Sequence, residues 1–587
     1  VILQSLVDYY EILADAGEIS RPGYCMVGVS YALNLSELGE LIGVIPLKIS
    51  VRQGKKDVEV PQSMEVPEQE KKTVGVKSNF LCENSGYVLG IDNKGKPERT
   101  KQCFEAFKKQ HHTVLDGMDQ AGAKAMLHFL DRWDPDNAQE CPALKNYLEE
   151  LKKGANIIFY VAGLGYLHQN VEIRQAWESF RQGKPDSVQK QCLVTGRIGP
   201  IARLHPSIKG VKGAQATGAS IVSFNAKAYE SYGHDDQQGL NAPVGEYAAF
   251  AYTTTLNYLL SDMEHKASFG DTTVIYWAKS PKPIYRNLFA FAVNPEEPID
   301  AMSVSKGTEG LLREIFKKIV EGKPVEDFQD AFDKNIRFYV LGLAPNASRL
   351  SIRFFYENSF GNILDKLAEH YHDMEICREK NEHEYVPLWK LLMETVSPLS
   401  KEKASSPLLS GSVLRSILTG TAYPSALYSN ILVRIRAEHE ISRGKAAIIK
   451  AYLLRNGQEK YKEVLSVSLN EQSENKAYVL GRLFAALEKA QQDANPGINS
   501  TIKDRYFTSA CATPATVFPI LLKLSNHHIS KAEYGAVSDR RICELMDKLE
   551  VEESPFPARL SLDEQGVFIL GYYHQQKANY VRKEKEA

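Results

Sequence analysis

Two His-Asp dipeptides, His234-Asp235 and His372-Asp373, are the side-chain pairs in this sequence best suited to hydrolytic chemistry. A metal-dependent phosphohydrolase combines such pairs with further His and Asp ligands, which hold divalent ions and activate water. Two adjacent residues do not make that site, and dipeptides of this kind arise by chance in a chain of 587 residues. His383-Glu384 lacks the second histidine of a zinc-protease helix. His111-His112 and His527-His528 read as solvated or capping residues on helix faces. The eight cysteines include no C-x-x-C pair and are expected to be free thiols. The stretch Gly210–Gly218 lacks the Gly-Lys-Ser/Thr ending of a phosphate-cradling loop, and no Gly-x-Ser-x-Gly elbow is present. The expectation is a chain with no catalytic residues, no metal and no cofactor. A nuclease using one His-Asp pair is the enzyme alternative.

The segment from Val194 to Asn257 offers a different chemistry. Arg197 and Arg203 precede Lys209-Gly210-Val211-Lys212-Gly213, and Gln215, Gly218 and Asn225 follow. Closely spaced glycines let backbone approach a ligand, and exposed N–H groups in such turns bind anions. The cations could neutralise phosphates, while Gln215 and Asn225 are amides of the type that read base edges. A glycine-rich connector with solvated lysines fits the same residues. The formal charge of -2 requires any nucleic-acid surface to be a local patch. A second candidate patch is the hairpin expected over Phe338–Phe355, with its turn at Pro345-Asn346. Strand alternation puts Arg349, Ser351 and Arg353 on one face and Leu350, Ile352 and Phe354 on the other.

The elements that must position these residues follow from periodicity. Length predicts two to four domains, and 43% apolar with 25% charged residues is ordinary for a soluble globular protein. Leu3, Leu6, Val7, Tyr10 and Leu13 form a helical stripe, directly after an N-terminus without a basic leader. Val27–Leu35, Leu41–Val51, Tyr87–Ile91 and Asn156–Val161 read as strands, Gln53–Lys77 as a polar loop, and Lys101–Leu130 as helical up to Trp133-Asp134-Pro135. Gln191–Trp277 reads as irregular β-structure interrupted by a helix over Gly245–Leu260. Beyond Leu388, Ser412–Leu418, Ala426–Ala437, Ala446–Leu454, Ala477–Gln492 and Pro514–His528 show helical spacing. Residues 401–587 carry about five more basic than acidic groups. The predicted fold class is α+β: a mixed N-terminal region, 1–390, with irregular β-structure, then a helical bundle, 391–587. No apolar run approaches the ~20 residues needed to span a bilayer, so the expected location is cytoplasmic, with no membrane partner.

Longer blocks carry a family resemblance. The Val194–Asn257 segment, Ile2-Leu3-Gln4-Ser5-Leu6, Phe338–Asn346, Tyr478–Ala485, Asp504-Arg505-Tyr506-Phe507, Ala512–Ala515 and Gly571–Gln575 together resemble the large subunit of type I-C (Dvulg) CRISPR surveillance complexes. The resemblance runs nearly end to end. It implies a non-catalytic subunit beside crRNA and crRNA-bearing backbone subunits. Such a subunit finds a short adjacent motif in double-stranded DNA, helps open the duplex, stabilises the R-loop and recruits a helicase-nuclease, while RNA–DNA pairing reads the sequence. It also implies that 477–587 resembles the separate small subunit; no methionine lies between Met393 and Met546 to start one internally. Side-chain chemistry combined with these blocks makes the nucleic-acid candidates Lys72, Lys77 and Asn79 in the early loop, with Arg197, Arg203, Lys209, Lys212, Gln215 and Asn225. Arg349 and Arg353 would hold backbone, and Arg482, Lys489, Lys503 and Arg505 would line the path of the displaced strand. A scaffold that contacts only protein is the remaining alternative.

Overall fold

The apolar stripe at the start of the chain folds as α1 (Ile2–Asp15), which buries Leu6, Val7, Tyr10 and Leu13. The computed structural model describes residues 1–53, 56–69, 75–182, 188–231, 233–234, 237–295, 306–323, 332–379, 382–401, 404–457, 459–549 and 554–580. It divides into two compact units, one mainly Leu3–Pro206 with Phe224–Thr255, the other mainly Ser207–Ser223 with Leu256–Ala587.

In the first unit, β1 (Tyr24–Val29), β2 (Tyr31–Leu35), β3 (Leu41–Pro46) and β4 (Lys48–Gln53) fall where alternation placed strands. The polar run after them is not a loop: Lys56–Pro67 forms β5. Val58, Val60, Met64 and Val66 alternate with polar residues along it. Its first half pairs with β4 and its second half with β1, and Pro61 stands where one ladder ends and the other begins. A proline is tolerated there because the missing N–H falls at the change of partner.

After β6 (Glu83–Asn84), the strand expected over Tyr87–Ile91 is instead the single turn α2 (Ser85–Val88). The Asn84 side chain accepts from Gly86 N at 3.1 Å and starts the turn. The long helical run splits into α3 (Pro97–Leu115) and α4 (Ala121–Arg132) at Gly117, whose φ is 81°. The short helix α5 (Leu148–Leu151) leads into β7 (Asn156–Val161). This strand runs parallel to β2 and antiparallel to β6 and to β8 (Gly165–Tyr166). The sheet order β3-β2-β7-β6 carries the unit's aromatic core. His111 belongs to that core rather than to a solvated face. Its ring stacks on Phe80, and its Nε2 accepts from Leu81 N at 2.9 Å. The unit continues with α6 (Val171–Gln182) and the two-stranded β9 (Gln189–Gln191)–β10 (Ile198–Pro200) ribbon. The division between units falls inside α7 (Glu246–Ser261).

The second unit is built on one antiparallel sheet, β11 (Lys266–Phe269), β12 (Thr272–Ala278), β13 (Arg337–Asn346) and β14 (Arg349–Ser359). The last two strands form the expected hairpin, but its turn is Ala347-Ser348; the ladder continues through Asn346 and Arg349. A bulge breaks the expected alternation. Ile352 opposes Leu343 and Phe354 opposes Gly342, which leaves Arg353 without an opposite residue and Ile352 exposed.

Helices α8 (Ile284–Val293) and α10 (Phe360–Met374) pack on this sheet, and α9 (Lys306–Val320) packs on both of them. The chain then turns helical: α11 (Leu388–Met393), α12 (Pro407–Thr419), α13 (Ser425–Glu438), α14 (Arg443–Asn456), α15 (Lys476–Ala494), α16 (Ile502–Ala512), α17 (Pro514–Lys531), α18 (Gly535–Asp547) and α19 (Leu562–Tyr580). A single apolar core runs from Phe269 to Tyr573, so the change of character near Leu388 is a change of element type inside this unit.

At its centre α15 crosses α19. A Cβ on Gly481 would lie 2.0 Å from Phe568 O, and one on Gly571 would lie 2.2 Å from Tyr478 O. We expect Gly481→Ala to cost about 3 kcal/mol, because the two backbones would have to separate. Gly411→Ala in α12, where a Cβ meets nothing within 4 Å, should instead stabilise by up to ~1 kcal/mol. Chemical denaturation of the full chain separates the two; similar effects would refute the backbone-contact account.

Burial also depresses several histidines. His111 and His370 are pulled down to about 3, and His168, His205 and His574 to about 4, in each case chiefly by desolvation. Unfolded imidazoles titrate near 6.5, so the unfolded chain takes up these protons first. Their contribution is fully present above pH ~6.5 and is lost as pH falls toward 4, on the order of 2 kcal/mol per residue at pH 5. Burial raises the Asp373 and Glu394 carboxyls, and these oppose the trend. Thermal unfolding recorded from pH 8 to 5 should show a midpoint that drops below pH ~6.5; a flat profile would contradict this.

Candidate nucleic-acid interface

The glycine-rich segment is a clasp closed on itself. Ile208 and Ala219 exchange two backbone hydrogen bonds of 2.8 Å, which encloses Lys209–Gly218. Gly218 needs to be glycine twice over: its φ is 95°, and a Cβ would sit 2.9 Å from Ile208 O. Ile208, Val211 and Ala219 are buried, which leaves Lys209, Lys212 and Gln215 exposed.

Three attachments hold the clasp to the second unit. Lys209 N donates to Asn257 Oδ1 at 2.8 Å, and Asn257 Nδ2 donates to Ser207 O at 3.0 Å. Lys212 N donates to Thr273 Oγ1 at 3.1 Å. Ser220 pairs in parallel with Arg349, through Ser220 N to Ser348 O at 3.1 Å and Leu350 N to Ser220 O at 3.0 Å. The clasp therefore makes a single parallel bridge at the tip of the β13–β14 hairpin. Two residues far apart in sequence reach the same turn between β11 and β12. Lys212 Nζ donates to Gly270 O at 3.3 Å, and Arg353 Nη2 lies 3.4 Å from Asp271 Oδ2. Lys209, Lys212, Gln215, Arg349 and Arg353 are thus gathered at one end of one sheet. Both partners of the Arg353–Asp271 pair are partly exposed, which makes it a weak and displaceable contact.

The other candidates are placed elsewhere. Arg197, Arg203 and Asn225 belong to the first unit and are exposed; Arg203 Nε donates to Gln238 Oε1 at 3.0 Å. Lys77 is exposed, and Lys72 lies outside the described residues. Asn79 is corrected to a structural residue: it is buried, and its Nδ2 donates to Gln69 Oε1 at 2.7 Å and Glu83 Oε2 at 2.9 Å. Arg482 is corrected likewise. It is buried in α15, donating to Gln575 Oε1 and to the carbonyls of Asn470 and Glu471, each at 3.2 Å. Lys489 is half-buried and paired with Asp493. Lys503 is half-buried 5.1 Å from the Tyr572 ring centroid, and burial pulls its ammonium pKa down. Arg505 is exposed.

Among the described residues, neither His-Asp pair gathers further metal ligands. His372 points to solvent, while Asp373 turns inward to Arg455 Nε at 2.5 Å. His234 Nδ1 lies 2.8 Å from Gln237 Oε1, and Asp235 falls outside the described residues. Among the described residues no group of three or more His, Cys, Asp or Glu side chains could hold a metal ion. No described helix is long and apolar enough to cross a membrane. Periodicity had not drawn attention to Arg415 of α12, which shares a cavity with Arg353. The run Arg353-Phe354-Phe355-Tyr356 was the available signal for that cavity.

The class defined here is an α+β protein whose second unit gathers a basic glycine clasp, a sheet end and a helical bundle. The family model for CRISPR-associated protein (Cas_Csd1) matches residues 6–580. The chain belongs to this family, the large subunit of type I-C CRISPR surveillance complexes. No curated protein matches the sequence.

Because Asp271 neutralises part of the sheet end, Asp271→Asn should tighten binding of duplex DNA severalfold at low salt. The gain should vanish as ionic strength rises. Anisotropy titrations at two salt concentrations test this; an unchanged low-salt affinity would remove Asp271 and its neighbours from the interface.

Proposed function

We propose that this chain is the non-catalytic subunit that recognises the adjacent motif in target double-stranded DNA. In the same reading it helps open the duplex, stabilises the R-loop and recruits the helicase-nuclease, working in the cytoplasm beside crRNA and its backbone subunits. Family membership over residues 6–580 supports the assembly. The observation that carries the DNA-reading role is the clasp. It fixes Lys209 and Lys212 by their backbone N–H groups and leaves both ammonium-bearing side chains and the Gln215 amide exposed. Cations fixed in this way suit phosphates, and an exposed amide on the same clasp suits a base edge. Arg197, Arg203 and Asn225 of the first unit, with Lys77, extend the same proposal to a second patch. Residues 477–587 are proposed as the small-subunit-like part, with Arg505, Lys489 and Lys503 toward the displaced strand. In support, α16, α17, α18 and α19 all pack on α15.

The test is target binding by the crRNA-loaded complex with and without this chain, on DNA carrying or lacking the motif. Omission should abolish motif-dependent binding. Replacing both Lys209 and Lys212 by alanine should lower the slope of log K against log[salt] by about two, whereas Gln215→Ala should relax motif discrimination at nearly unchanged slope. Equal binding without the chain would favour a protein-only scaffold. Divalent-metal-dependent cleavage by the isolated chain would favour a nuclease.

A further inference from the structure

The bulge that sets Arg353 apart also shapes a cavity of about 300 Å³ between β14 and α12. Arg353, Phe354 and Tyr356 contribute to one wall, Arg415, Leu418 and Thr419 to the other. The local backbone explains its form. Gly342 on β13 has no side chain, and a Cβ there would lie 2.4 Å from Phe354 Cε1, so the Phe354 ring rests on bare backbone. With Arg353 extra to the ladder, its side chain is released from strict alternation, which is a common use of a bulge beside a binding site.

Across the cavity, Arg415 is exposed, and its guanidinium has no partner among the described residues. Asp271, 3.4 Å from Arg353, is held only loosely. Two guanidinium groups beside aromatic side chains form a surface for a planar, anionic ligand: base faces stack on aromatics and guanidinium planes, and phosphates take the charge. The volume is at the small end of ligand sites and takes one nucleotide, not a base pair. Arg353 of the cavity pairs with Asp271, and Lys212 of the clasp donates to the carbonyl of the neighbouring Gly270.

We propose that this cavity is a subsite for one unstacked nucleotide of a single-stranded nucleic acid, its base against Phe354 and Tyr356 and its phosphate held by Arg353 and Arg415. The inference rests on the nucleic-acid-binding reading above and adds a specific place where an unpaired base is held.

The test uses the full chain with fluorescent oligothymidylate and, in a second arm, oligouridylate, each carrying one photoactivatable 4-thio base. Crosslinks mapped by mass spectrometry should fall on residues 353–356 or 415–419. Arg415→Ala, at an exposed position, should weaken binding about tenfold, the scale of one lost contact to a strand. Tyr356→Leu should weaken it similarly, and an abasic site should weaken wild type but not the Tyr356→Leu variant. The arm that binds more tightly identifies DNA or RNA as the strand. Binding with crosslinks elsewhere, or with Arg415→Ala equal to wild type, overturns the cavity subsite and leaves the binding role standing. Failure of wild type to bind either strand removes both.

Discussion

The second unit depends on the contact of α15 with α19, where Gly481 and Gly571 let each helix rest on the other's main-chain carbonyl. Removing both Cβ atoms brings the axes close enough for polar groups to meet in the core. Tyr478 OH and His574 Nδ1 share a hydrogen bond of 2.8 Å, and Tyr572 OH donates to Glu488 Oε2 at 2.6 Å. Thr501 takes the other Glu488 oxygen at 2.6 Å, which ties in the start of α16. A buried carboxylate is tolerable only with such partners, so the crossing fixes the register of both helices as well as their distance. Helices α16, α17 and α18 pack around α15, and α14 reaches α19.

That rigidity extends, through one continuous core, to the sheet that carries the basic clasp. The clasp is a loop by composition, but four hydrogen bonds from the backbone N–H groups of Lys209, Lys212, Ser220 and Leu350 fasten it to α7, β12 and the β13–β14 hairpin. Positive charges fixed on such a scaffold lose little freedom when they meet phosphates, whereas mobile lysines must be ordered on binding. The carboxylate of Asp271 at the same turn keeps the patch from being uniformly positive.

Burial decided which polar residues belong to folding and which face outward. Asn79 and Arg482 carry side chains well suited to nucleic acid, yet both are enclosed by hydrogen-bond partners supplied by segments nearby and distant in sequence. Arg482 needs the carbonyls of Asn470 and Glu471 together with Gln575 of α19, a conjunction that no local pattern announces. His372 and Asp373 are neighbours in sequence but face solvent and core respectively, which is the ordinary consequence of helical geometry.

The sequence by itself determined the elements with a clear period: α1, β7, α7, the β13–β14 hairpin and most helices after Leu388. Local propensity and a one-sided apolar pattern are enough for those. It also determined the family, through long blocks spread over the chain, and it drew attention to the glycines and cations of the clasp. It left α19 unread because residues 565–575 are buried all round and show no stripe. It misread β5, where Pro61 is harmless because the strand changes partners between Pro61 and Gln62, and Pro67 because it ends the strand. Tertiary structure alone decided that Lys212 and Arg353, 141 positions apart, meet one turn, and that a bulge opposite Gly342 frees Arg353. Such facts depend on pairing between distant strands, and local sequence does not encode which partner a strand will find.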